Sequence, residues 1–64
     1  MEDETRNLLM LIKRSEKNAD ADGWVPVSDQ LWPYIQKAPA ELVDFRHDQH
    51  CRLNDKGQTV LAWS

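Results

Sequence analysis

The run Asp22-Gly23-Trp24-Val25-Pro26-Val27-Ser28-Asp29-Gln30-Leu31-Trp32 constrains the chain more than any other. Asp-Gly is a turn signal. Trp24, Val25 and Val27 then favour a brief strand, and Pro26, with no N–H for a ladder, confines it to a sheet edge. Ser28 is a good N-cap, with Asp29 in the first turn. The helix it opens carries Leu31, Trp32 and Ile35 on one side. Pro33 falls near the helix start, where its missing N–H is tolerated. Turn, edge strand and helix start therefore follow one another directly.

Ahead of this run a helix is expected from about Thr5 to about Asn18. Asp3 or Thr5 can cap it, and Glu2, Asp3 and Glu4 suit the positive end of its dipole. Lys13, Arg14 and Lys17 gather at the other end, where the dipole favours cations; phosphate contact is the other reading of that cluster. Leu8, Leu9, Leu11 and Ile12 form one apolar arc at the helical repeat. Met10 falls opposite it, as an exposed methionine or as a contact with a second chain. The polar segment from Asn18 to Gly23 stops the helix.

Behind the run, Ala38 precedes Pro39 and so resists helical geometry. Pro39 suits the first position of a further helical turn, through Ala40 and Glu41 to about Leu42. Val43, Phe45, Cys51 and Leu53 alternate with Asp44, Arg46 and Arg52 about a polar turn at His47-Asp48-Gln49, which is hairpin patterning. Two readings hold for the remainder. Either Asn54 caps a last helix with Val60, Leu61 and Trp63 toward its buried side, or Asn54-Asp55-Lys56-Gly57 is a turn before a strand from Thr59 to Trp63. Gly57 favours the turn, and the apolar spacing favours the helix, which is the expected form.

Length and composition bound the rest. Residues 1–64 make one small domain. The single cysteine, Cys51, leaves no intramolecular disulfide, and no apolar run reaches the ~18 residues of a membrane span. The opening Met1-Glu2-Asp3-Glu4 is the reverse of a basic signal-peptide start, so a cytoplasmic protein that does not engage the membrane is expected. Residues 1–36 hold four basic and seven acidic side chains and residues 37–64 hold four of each, so the whole net charge of −3 lies in the front portion. A dedicated nucleic-acid binder usually carries a basic excess, which is missing here.

The element order resembles the winged helix-turn-helix family. The likeness rests on Gly23-Trp24-Val25-Pro26-Val27-Ser28, on Leu42-Val43-Asp44-Phe45-Arg46 and on Arg52-Leu53-Asn54-Asp55-Lys56-Gly57. The last run is similar to the wing strand and Leu-Thr-x-x-Gly helix start of many bacterial regulators, with Asn54 in the threonine's place. The resemblance implies an α+β fold: helix, short strand, helix-turn-helix with a short third helix, β-hairpin wing and C-terminal helix. It also implies a DNA-binding module in transcription regulation, with double-stranded DNA as partner. Carried over by position, the groove-facing residues are Gln36 and Lys37, with Arg46, Gln49 and Arg52 on the wing. Gln36 suits adenine and Arg46 guanine. The sequence departs from that pattern between Pro39 and Val43, where little more than one helical turn fits. Glu41, Asp44 and Asp48 also repel phosphates in that region, so a monomer is expected to bind DNA weakly. A homodimer formed through Met10 doubles the contacts.

The alternative is a protein-interaction module on the same fold, through the acidic front or through an exposed tryptophan such as Trp32 beside Leu31 and Ile35. A weaker alternative is an EF-hand-like calcium loop at residues 18–29. Asn18, Asp20, Asp22, Gly23, Val25 and Asp29 fall at its positions, but the first ligand is not aspartate, the last is not glutamate, and Pro26 stiffens the ninth position. His47, His50 and Cys51 are zinc-type ligands with no distant partner pair, so no metal or other cofactor is expected. No nucleophile has a base at recognisable spacing and no glycine-rich phosphate loop is present, so the chain reads as a non-enzyme.

Overall fold

The computed structural model describes residues 2–63. The elements are α1 (Asp3–Arg14), a 3₁₀ turn over Ser15–Asn18, β1 (Val25–Pro26), α2 (Trp32–Ile35), β2 (Val43–Arg46), β3 (His50–Leu53) and α3 (Asp55–Ala62). The strands form one antiparallel sheet in the order β1-β3-β2. This is an α+β domain with a winged-helix-like layout, and the β2–β3 hairpin stands where a wing would be.

Helix α1 forms because Leu8, Leu9 and Ile12 recur at helical spacing, and all three are buried in the core. Each such side chain contributes about 1.5–3 kcal/mol on leaving water. Two expectations at its ends need correction. The N-cap is Glu2, in extended backbone and without a side-chain cap bond, rather than Asp3 or Thr5. The α-helix also ends at Arg14, because the Ser15 hydroxyl donates to the Leu11 carbonyl (2.9 Å) and the last turn tightens to 3₁₀.

Pro26 lies on an edge strand, as its missing N–H requires, and Val25 pairs with Cys51 across to β3. The hairpin register sets Val43 against Leu53 and Phe45 against Cys51. Its three-residue connection ends on Gln49 in left-handed backbone (φ 64°), the position that lets such loops close. The Gln49 carbonyl also accepts the Val27 N–H at 2.8 Å, which ties the exit of β1 to the hairpin.

Ser28 opens a turn: its carbonyl accepts the N–H groups of Leu31 and Trp32, and its Oγ accepts Leu31 N–H at 3.3 Å. Regular helix is confined to the single turn Trp32–Ile35, with Pro33 at its start. On so short a helix Ile35 is buried, Trp32 half-buried and Leu31 exposed, so Leu31 is not on the buried side. The short third helix contracts to one turn in which the Pro39 carbonyl accepts Leu42 N–H (3.0 Å) and Val43 N–H (3.1 Å).

The C-terminal segment is helical. Asn54 Oδ1 accepts the Gly57 N–H (2.8 Å), and Asn54 Nδ2 donates to the Glu41 carbonyl (2.8 Å). One residue therefore caps α3 and fastens it to the Pro39 turn. Gly57 is buried there, and a Cβ on it would overlap the Leu42 carbonyl oxygen. Close approach of backbone to backbone explains a glycine that helix propensity disfavours. Trp63 is corrected: it falls at the C-cap, past the last helical residue, and is 86% exposed.

Candidate interaction surfaces

On the wing side the sequence builds a platform around Trp24. Gly23 takes left-handed backbone (φ 85°), which turns the chain back so that Asp20 Oδ1 accepts the N–H groups of Asp22 and Trp24, both at 2.9 Å. The Trp24 ring meets two arginines of the hairpin: Arg52 lies 4.3 Å from its centroid and Arg46 lies 5.0 Å away. Each arginine is also held by oxygen. Arg46 Nε donates to Asp48 Oδ1 (2.8 Å), with Asp20 Oδ2 3.9 Å from its Nη2. Arg52 Nε is 3.4 Å from Asp44 Oδ2, and its Nη1 donates to the Asp22 carbonyl at 3.3 Å. The Trp24 N–H holds the Asp20 carboxyl below its ordinary range, and the Arg46 bond does the same for Asp48.

This geometry sorts the five groove-facing residues. Arg46 and Arg52 converge on one ring, neutralised by neighbouring carboxylates. Gln36 and Lys37 are exposed on a different element, just past the end of α2, and Lys37 Nζ lies 6.0 Å from the Tyr34 ring. Gln49 is half-buried, with its carbonyl committed to Val27. The one-turn α2 offers a single turn to a groove, where base reading places a helix.

A second surface lies between α1 and α3. Arg6, Met10, Lys13 and Arg14 face Gln58, Leu61 and Ala62 across a groove of about 340 Å³. Polar contacts tie its two sides together: Lys13 Nζ is 3.0 Å from Glu16 Oε1 and donates to Gln58 Oε1 (2.9 Å), while Gln58 Nε2 donates to Glu16 Oε2 (3.3 Å). Arg6 and Arg14 have no carboxylate in ion-pair contact among the described residues. Trp63 follows directly on Ala62 and is the most exposed large hydrophobic side chain described. Sequence reasoning pointed to Met10 here but missed Leu61 and Trp63, because periodicity alone turned α3 one residue too far. Trp32, the other interface candidate, is half-buried with its ring edge-on to Phe45 at 6.0 Å.

The metal-type patterns do not converge. In the 18–29 loop the Asp20 carboxylate is turned onto its own backbone, the Asp22 carbonyl takes Arg52, and Val25 is committed to the sheet. His50 Nδ1 sits 3.0 Å from the Asp48 carbonyl, while Cys51 is fully buried and burial pushes its thiol pKa up to about 11. Among the described residues no three His, Cys, Asp or Glu side chains come together as a metal would need. Among the described residues no helix is long and apolar enough to cross a membrane. Comparison with protein-family models, curated proteins and solved structures gives no match.

Proposed function

We propose that this chain is a cytoplasmic protein-interaction domain on a winged-helix-like layout, and that it engages its partner through the α1–α3 surface. The observation that carries this reading is Trp63, 86% exposed and next in the chain to Ala62, which lines the α1–α3 groove with Met10 and Leu61. Aromatic side chains next to a preformed apolar cleft are the usual anchors of protein interfaces, and methionine adapts to varied partners. The duplex-binding reading has less support, since both wing arginines are engaged with carboxylates and α2 is a single turn.

The two readings separate in a fluorescence-anisotropy titration of a labelled random-sequence duplex at low salt. The expected outcome is no saturable binding. Binding that falls steeply with salt and weakens in both Lys37→Ala and Arg46→Ala would overturn the proposal in favour of DNA.

A further inference from the structure

We propose that α1 packs on α1 of a second copy of this chain, antiparallel about a two-fold axis, along the edge of the α1–α3 groove. This rests on the protein-interaction reading above and names its partner. One stripe of α1 carries the self-complementarity. Asp3, Asn7, Met10 and Arg14 lie four, three and four residues apart, so they share a helix face. Lys17 continues the stripe into the 3₁₀ turn. The stripe is acidic at its start, uncharged at its centre with Asn7 and Met10, and basic at its end.

Such a stripe complements itself when one copy is reversed. With the two helices antiparallel, Asp3 of each copy faces Arg14 of the other and Asn7 faces Met10. The contact is isologous, so the charge pair and the Asn7–Met10 contact each occur twice and the assembly closes as a dimer. Met10 of the second copy packs on Asn7, alongside the groove that Met10, Leu61 and Ala62 help to line. The charges at both ends are available. Among the described residues, Glu2, Asp3, Glu4, Arg6, Arg14 and Lys17 make no ion pair within their own chain. The helix dipole accounts for acids at one end and bases at the other. It does not account for Met10 between them, at the edge of the α1–α3 groove.

Sedimentation equilibrium of the full chain between about 10 µM and about 1 mM tests this, over the affinity range of modest interfaces. The wild type is expected to self-associate within that range, and less strongly at high salt. Arg14→Glu and Asp3→Arg are each expected to weaken self-association at least about tenfold, and the double variant Asp3→Arg/Arg14→Glu to recover to within about threefold. Both positions are exposed, and far-UV circular dichroism verifies that each variant stays folded. Failure of the double variant to recover overturns the inference, as does self-association indifferent to Arg14→Glu. A wild type that stays monomeric at the highest concentration overturns the second copy as partner and leaves the protein-interaction reading standing. Salt-sensitive duplex binding through Lys37 and Arg46 overturns the protein-interaction reading, whereas the dimer stands or falls on the sedimentation result.

Discussion

The guanidinium of Arg52 lies 4.3 Å from the centre of the Trp24 ring. Arg52 is contributed by β3 and Trp24 by the turn before β1, so this contact clamps the Asp20–Trp24 turn onto the sheet. Arg46 adds a second cation at 5.0 Å on the same ring. Side chains that could pass for a phosphate-binding pair are thus part of the framework.

Trp24→Ala is therefore expected to destabilise the fold by about 2–3 kcal/mol, somewhat less than truncating a fully buried tryptophan. Urea denaturation measures it. A loss below about 0.5 kcal/mol, the level of an ordinary surface substitution, would show that the arginine platform is decorative.

Acid should loosen the same turn. The folded protein holds the Asp20 carboxyl below its ordinary value of 3.8, first through the Trp24 N–H, and Asp48 is lowered by Arg46. A depressed carboxylate contributes stability that is fully present above the unfolded value and is lost as pH falls through the folded one. Thermal midpoints should therefore fall as pH drops below about 4, and by less in Asp20→Asn. Identical acid profiles for the two proteins would remove Asp20 from the account.

Gly57→Ala gives a test of sign. On an open helix surface alanine would stabilise by up to about 1 kcal/mol. Here the added Cβ meets the Leu42 carbonyl, so the substitution should destabilise by roughly 1–3 kcal/mol despite the better propensity. A raised melting temperature would mean that α3 sits further from the Pro39 turn than the structure has it.

Cys51 should resist alkylation. It is fully buried and its thiol is pushed up to about 11, so little thiolate exists near neutral pH. Iodoacetamide labelling at pH 8 is expected to run at least about 100-fold slower than in urea-unfolded chain, limited by opening of the core. Because the folded value is raised, ionisation favours the unfolded chain, and stability should decline as pH rises above the ordinary thiol value of 9.0. Rapid labelling of folded protein would contradict the packing of β3.

The hairpin was legible because Val43, Phe45, Cys51 and Leu53 alternate with polar neighbours, and the strand register preserves that alternation. Pro26 announced an edge strand through its missing N–H, and Asn54 announced the start of α3 as a cap. What stayed hidden depends on contacts remote in sequence. Nothing local to Arg46 or Arg52 reveals that both fold over Trp24. Gly57 looked like a helix breaker because its neighbour, the Leu42 carbonyl, lies on another turn. Trp63 looked buried by periodicity, but α3 ends one residue before it. The end of α1 was misplaced because Ser15 bonds back to Leu11.

The most direct test of the α1–α3 surface as the interaction face is amide NMR of labelled protein, first in a dilution series and then with a short duplex at low salt. The account predicts concentration-dependent shifts centred on residues 3–17 and 58–63, with the amides of Gln36, Lys37, Arg46, Gln49 and Arg52 unmoved by duplex. Salt-reversible shifts at those five positions, with the α1 and α3 amides silent, would contradict it.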